Sequence, residues 1–392
     1  MTLLCAVLAL GGTPARAALQ YETGDHWTVG TDGWVNAFLV SESGDRAPTG
    51  VAADLFSRNT DQSLFRMRTG FLPALIGFTL GAPDWEGIKV KARVGFYPQI
   101  QNGNSRTSIN PNIDTREFNF TVDGGFGQIL FGRALNVYQQ KNILTDMSLF
   151  GVGVPGTSPT TGTFPTLGHI GFGYLYTSFG AQLRYTTPDL AGFKVMASVA
   201  DPSVIGSATV TKMPTIEAEA SFAGKSDALR YQAWLGGLYQ EATIDGTAPR
   251  NVTASGGSAG VGVGFAGLDL LASGFAGSGI GTATLLDGDS LDAAGKERSS
   301  MGLLGQVTYT LGKTKVGVSY GRTSVKETAQ DAADRAAGTA HLDNRSSVTG
   351  GVYHDLTPWL KIGGEYTRAE LRYFGGAKQA TNIVSAGSFF MW

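Results

Sequence analysis

From about residue 26 to its last residue the chain repeats one pattern: segments of roughly 10–15 residues in which polar and apolar side chains alternate. In 88–99, Lys89, Lys91 and Arg93 share one face, and Val90, Ala92, Val94 and Phe96 the other, because successive strand side chains point to opposite sides. In 116–123, Phe118, Phe120 and Val122 oppose Glu117, Asn119, Thr121 and Asp123. Gln182 and Arg184, and later Arg230 and Gln232, sit on polar faces of the same kind. A period of two over this length predicts an all-β chain whose strands each carry one wet and one apolar face.

The expected strands are 27–41, 62–72, 88–99, 113–123, 126–135, 170–187, 192–201, 213–223, 227–241, 252–265, 268–278, 297–311, 314–326, 343–354, 359–373 and 381–392. That is about sixteen, an even number. Their connections alternate in length. Short links fall at 124–125, 187–191, 224–226, 312–313 and 355–358; long ones at 42–61, 100–112, 136–169, 202–212, 242–251, 279–296 and 327–342. Antiparallel neighbours with two unequal ends are the signature of a transmembrane β-barrel with short periplasmic turns and long outer loops.

Composition agrees. Of 392 residues, 56 are glycine and only 16% are charged, too little charge for a disordered chain. No run of roughly 20 apolar residues in the body of the chain suits a membrane helix. In lipid only helices and closed barrels satisfy their own backbone, so a large barrel with a polar inner face is a water-filled channel. Trp34, Tyr185, Trp359, Tyr366, Phe390 and Trp392 fall at or near strand ends, where interfacial aromatic girdles sit. The apolar run Leu3 to Leu10 and the small-residue site Ala15-Arg16-Ala17 read as a secretory signal over 1–17, leaving 18–392 as the barrel. The one cysteine, Cys5, lies in that leader, so the mature chain has no thiol chemistry. A net charge of −2 without a basic stretch gives no sign of nucleic-acid binding.

Three segments carry a family resemblance. Gly125-Phe126-Gly127-Gln128-Ile129-Leu130-Phe131-Gly132-Arg133, Tyr185-Thr186-Thr187-Pro188-Asp189-Leu190-Ala191-Gly192-Phe193 and the terminal Phe389-Phe390-Met391-Trp392 resemble stretches of the Gram-negative general porins. The resemblance implies a homotrimer of sixteen-stranded barrels, the third long loop folded into the lumen, and Phe390 and Trp392 read by the barrel-assembly machinery. The acidic motif usual in that loop is not obvious here, since Asp146 is the only acid in 136–169.

The candidate pore-lining residues are Arg66, Arg68, Lys89, Lys91, Arg93, Glu117, Arg133, Asp146 and Arg184. Rings of Arg and Lys favour anions, so the expectation is passive diffusion of small hydrophilic solutes with a preference for anions such as small carboxylates. The alternative is that wall acids such as Glu117 and Asp123 neutralise these bases. Two further readings stay open: a channel with a dedicated solute site, and a barrel-embedded enzyme, for which no convincing Ser/His pair is evident.

Other motifs carry little. Gly256-Gly257-Ser258-Ala259-Gly260 matches a nucleophile elbow but lies in a strand pattern, not a strand–turn–helix. Gly151-Val152-Gly153-Val154-Pro155-Gly156 matches a dinucleotide fingerprint without a helical period after it. His26, His169, His341 and His354 lack metal-ligand spacing, so no cofactor or metal is expected; Asp287, Asp289 and Asp292 read as a solvated loop sooner than a calcium site.

Overall fold

The computed structural model describes residues 19–101, 113–156 and 165–392. The proposed signal at 1–17 lies outside them. The strands are β1 (Leu19–Glu22), β2 (Thr28–Gly44), β3 (Leu64–Arg68), β4 (Leu75–Gly81), β5 (Lys89–Pro98), β6 (Ile113–Gly124), β7 (Gly127–Leu135), β8 (Phe179–Thr186), β9 (Phe193–Ala200), β10 (Thr215–Lys225), β11 (Leu229–Ile244), β12 (Arg250–Phe265), β13 (Leu268–Ser278), β14 (Ser299–Leu311), β15 (Thr314–Val325), β16 (Leu342–Thr357), β17 (Leu360–Tyr373) and β18 (Lys378–Met391). From β4 onward each pairs antiparallel with the next, β2 pairs with β1, β3 and β4, and β18 returns to β2, with Met391 opposite Trp34. The ring from β2 through β4 to β18 and back to β2 closes on itself. Two short helices, α1 (Gln140–Leu144) and α2 (Ala329–Ala336), lie in connections.

The wall has sixteen strand positions, although the sheet contains eighteen strands. β1 is an addition that pairs with the start of β2, Leu19 opposite Thr31. β3 and β4 share one position, since both run antiparallel to β2 with residues 69–74 leaving the ladder between them. That interruption receives the lumen loop: Phe71 N donates to the Gly151 carbonyl at 2.9 Å and Leu72 N to that of Leu149 at 3.2 Å. The expected strand 62–72 is therefore half of a longer, broken one.

Two other boundaries moved. The expected strand 170–187 begins only at Phe179, because the apolar residues before it pack inside the lumen. The expected long link 242–251 shrinks to 245–249, because β11 and β12 continue their ladder to Ile244 opposite Arg250. The outer connections are thus loops 1 to 8: 45–63, 99–112, 136–178, 201–214, 245–249, 279–298, 326–341 and 374–377. The opposite rim has tight turns; at 266–267 Ala266 (φ 47°) and Gly267 (φ 87°) take the paired left-handed conformation that suits a twisted hairpin.

Apolar residues of the wall face outward. Leu235, Val261, Leu270, Val318 and Val384 are exposed and lie opposite apolar or small partners on the same outer face. Trp359, Phe390 and Trp392 cluster at the short-turn rim, with centroids 6.2 and 5.9 Å apart in sequence, as an interfacial girdle. Trp34 is not part of it: it is buried inside and donates its indole N–H to the Pro73 carbonyl at 2.6 Å.

Candidate functional site: the lumen and its loop

The described residues of loop 3 enter the lumen and are bonded to the wall at several points. Glu217 on β10 accepts the N–H groups of Val137 and Tyr138 at 2.6 and 3.0 Å. Trp234 on β11 donates to Asn142 at 2.9 Å, and Gln306 on β14 accepts from Met147 N at 2.9 Å. Glu365 on β17 accepts from Val152 and Gly153 N at 2.7 and 2.8 Å, and Tyr353 on β16 donates to the same carboxylate. Phe150 packs edge-on against Phe389 of β18, centroids 5.4 Å apart. The wall acids thus satisfy loop backbone that would otherwise be buried without partners.

The tightest fixing point is Asp146. It accepts from Ser148 N at 2.9 Å, His169 N at 3.1 Å and the Tyr174 hydroxyl at 2.6 Å, and faces His169 Nδ1 at 3.1 Å. His169 Nε2 reaches Ser319 Oγ of β15 at 3.1 Å. Burial pushes the Asp146 carboxyl up, but the His169 charge and the bonds from His169, Tyr174 and Ser148 outweigh it and hold it at about 2. Ser319, His169 and Asp146 have the connectivity of a hydrolytic triad. All three are buried, and none is among the residues that line the lumen cavity. The arrangement is a clamp. Spacing in the sequence gives no sign of it, since the three residues meet only through loop 3.

Because loop 3 packs on β10 to β18, the open passage lies on the β2 to β8 side. A cavity of about 1060 Å³ runs from Pro188, Pro358 and Trp392 at the short-turn rim to Leu55 and Pro165 at the loop end. Its basic lining is Arg68, Lys91, Arg93, Arg116, Lys141, Arg184, Lys194 and Lys361; its acids are Asp32, Asp114, Glu117, Asp123 and Asp189. Several are paired. Arg93 donates to both oxygens of Asp32 and, through Nε, to Glu117 at 3.1 Å. Arg116 bonds Asp114 at 2.9 Å, Lys194 bonds Asp189 at 3.3 Å, and Lys361 bonds Asp355 at 2.5 Å. Lys91 has no ion pair among the described residues. Arg184 stands beside Glu217 and Glu219 and donates to the Leu135 carbonyl at 3.3 Å.

Of the sequence candidates, Arg68, Lys91, Arg93, Glu117 and Arg184 line this cavity. Arg66 shares the inward phase of Arg68 without reaching it. Lys89 is exposed at the short-turn rim, 3.9 Å from Asp84. Asp146 is buried in the clamp rather than facing the passage. Arg133 is exposed and lies opposite Phe118 and Ala181, on the outer face, because β7 presents Gln128, Leu130 and Ala134 inward. Several charged lining residues were not among the candidates, and Arg116 and Asp32 show why. A bulge between Gly95 and Phe96 turns both Arg116 and Glu117 inward, which simple alternation forbids. Asp32 lies on a face shared with Trp34, Phe38 and Val40, so the polar signal is lost.

Among the described residues one group could hold a metal ion. Asp331, Asp334 and His341 in loop 7 bring one ligand atom each within 4.8 Å of one another. Asp331, however, is held by both branches of Arg298 and caps α2 through Thr328. In loop 6 the oxygens of Asp287 and Asp292 accept backbone N–H bonds from Asp289 at 3.0 Å and Lys296 at 2.8 Å. The nucleophile-elbow match lies within β12, with Ser258 buried and no helix after it; the dinucleotide match lies in loop 3.

The sequence matches the family model described as Gram-negative porin over residues 4–372. No curated protein matches it. Among solved structures it is similar to the outer membrane channel DcaP of Acinetobacter baumannii, at 15% identity over 95% of this chain and 99% of that one, TM-score 0.68. It is also similar to an anion-selective porin from Comamonas acidovorans, at 15% identity over 94% and 100%, TM-score 0.62. Salmonella typhi OmpF in complex with daunomycin follows at 14% identity over 95% and 100%, TM-score 0.57. At these identities the likeness is one of fold.

Proposed function

This chain belongs to the Gram-negative porin family, and on that premise we propose that its outer-membrane channel passes small hydrophilic solutes passively and prefers anions such as small carboxylates. The observation that carries the preference is the lining: eight bases face five acids along the cavity. A low-dielectric wall concentrates the field of that excess. The acids Asp32 and Glu117 neutralise Arg93, so the preference rests on Lys91, Lys141 and Arg184 more than on a full basic ladder. The anion-selective porin of Comamonas acidovorans shares this fold. The protein works as a channel rather than as an enzyme, as a homotrimer in outer-membrane lipid, with residues 1–17 removed on export and Phe390 and Trp392 presented to the assembly machinery.

Single-channel current in a planar bilayer under a salt gradient tests this. Stepwise openings with a reversal potential of anion sign support the reading; cation sign sinks the preference, and a folded, inserted protein without conductance sinks the channel.

A second reading, a channel with a dedicated solute site, draws on Arg116. Its guanidinium lies 5.2 Å from the Tyr97 ring and 5.6 Å from the Phe179 ring, a rigid mount for one oriented cation. Competition by added carboxylates for the ion current separates the two: a saturable block supports the site.

A further inference from the structure

The lumen loop departs from what a passage for small hydrophilic ions needs. Across 136–178, Lys141 and Asp146 are its only Lys, Arg, Asp or Glu residues, and Asp146 is buried in the clamp. What the loop turns to the passage is apolar. Leu144, Phe150 and Leu167 line the cavity and are only partly buried, and Tyr176 and Phe179 continue the strip to the loop end. The strip is fixed from behind. The Phe150 ring stands edge-on to the buried Phe389, with centroids 5.4 Å apart. Leu144 and Leu167 pack on the same buried cluster, and Leu167 N donates to the Val154 carbonyl at 3.0 Å. Apolar surface held open in a water-filled passage costs free energy until a solute covers it.

The facing wall supplies the charge. Lys91 and Arg93 on β5 and Arg116 on β6 line the other side of the same cavity. Arg93 is neutralised by Asp32 and Glu117, but Lys91 has no ion pair among the described residues. At the loop end the Arg116 guanidinium lies 5.6 Å from the Phe179 ring. Toward the short-turn rim Lys361, ion-paired to Asp355, holds its ammonium 5.3 Å from the Phe150 ring. Each end of the strip therefore sets a cation against an aromatic ring. A solute with one carboxylate on an apolar body meets both features at once: its oxygens face the cation, and its hydrocarbon covers the strip. A hydrophilic anion of the same size engages the bases alone.

We propose that the passage is built for amphipathic monocarboxylates, solutes with one carboxylate on an apolar body the size of a benzene or cyclohexane ring, which move along the strip with the charge turned toward β5 and β6. The inference rests on the anion preference argued above and narrows it, because charge alone does not qualify a solute. Two weak stations in series, in place of one tight site, let the solute leave as readily as it enters.

The test uses the refolded full chain in a planar bilayer carrying chloride current, with cyclohexanecarboxylate and gluconate added separately as blockers. Each carries one negative charge, their bulk is similar, and only the first is apolar. Cyclohexanecarboxylate halves the current at a concentration at least about tenfold lower than gluconate does. In the variant L144Q/L167Q that ratio falls to about two or less. In Arg116→Gln both half-blocking concentrations rise about three- to tenfold and the ratio stays. Should the double variant fail to fold, Leu144→Gln alone lowers the ratio about threefold. Equal block by the two solutes in the wild type overturns the inference, as does a ratio that substitutions in the strip leave untouched; in either case a reversal potential of anion sign leaves the anion preference standing. A reversal potential of cation sign sinks that preference, and the inference falls with it.

Discussion

Asp146 Oδ2 and His169 Nδ1 lie 3.1 Å apart with both side chains wholly removed from solvent. The pair joins two distant parts of loop 3, and His169 carries the link on to Ser319 of the wall. Removing the imidazole takes one buried partner from Asp146, which keeps the Ser148 N–H, the His169 N–H and the Tyr174 hydroxyl, at a cost of about 1–3 kcal/mol. His169→Ala and Asp146→Asn should therefore release loop 3 from β15. Single-channel records should show larger or noisier openings, with a lower melting temperature for the refolded barrel. Records identical to wild type would mean that the other anchors, Glu217 and Glu365, suffice alone. The acid limb has a defined sign: the carboxyl is held at about 2, below its ordinary range, so its stabilisation is complete above about pH 4 and lost as pH falls through about 2.

Loop 6 should respond to pH in the opposite sense. Burial, and then the neighbouring Asp289, push the Asp287 carboxyl up to about 6. A folded-state acid with a raised pKa binds more protons than the unfolded chain, so stability is greatest below about pH 4, declines as pH rises to about 6, and is flat beyond. The full effect is on the order of 3 kcal/mol. Hydrogen exchange across 279–298 should accelerate between these values. Asp287→Asn, which does not titrate although its single carbonyl oxygen can replace only one of the two accepting oxygens, should flatten the dependence. An equally steep profile in that variant would assign the titration elsewhere.

Legibility followed the lumen loop. Where the wall meets water on its inner side, as in β5 and β8, alternation put Lys91, Arg93 and Arg184 on the correct face. Where loop 3 packs, the inner face is itself apolar, and the pattern of period two fades. That hid Asp32 beside Trp34 and Phe38, and it made 170–178 look like strand although those residues are lumen filling. The broken strand β3–β4 failed for the same reason, since Phe71 and Leu72 bond the loop instead of a neighbour. Arg116 needed a bulge, and Arg133 sits on an outer face where alternation would place an apolar residue. None of these has a signal in local sequence.

Charge placement predicts a hierarchy of selectivity effects. Lys91→Glu combined with Arg184→Glu should move the reversal potential toward cations, since both line the passage. Lys89→Glu, exposed at the rim beside Asp84, should change it little. Arg93→Glu should do its damage through folding, because it leaves Asp32 and Glu117 facing a third carboxylate. Reversal potentials under a tenfold salt gradient, paired with melting curves, would expose a different order. If Lys91 and Arg184 prove silent, the basic excess along the cavity does not govern permeation.

Gly321 tests how closely loop 3 is seated. It lies on β15 between Tyr320 and Arg322, facing inward, and a Cβ there would run into the Phe172 carbonyl of loop 3, with the His169 ring 3.2 Å away. The wall backbone cannot retreat, because Gly321 is laddered to Leu304 on one side and Ser347 on the other. Gly321→Ala must displace the loop, and Gly321→Val more so. The alanine variant should lose roughly 1–3 kcal/mol, in the range of overpacked cores. Its conductance should shift in the same direction as that of His169→Ala, because both lift one segment from one strand. A Gly321→Ala channel that melts and conducts as the wild type does would show that loop 3 stands off β15 in the membrane.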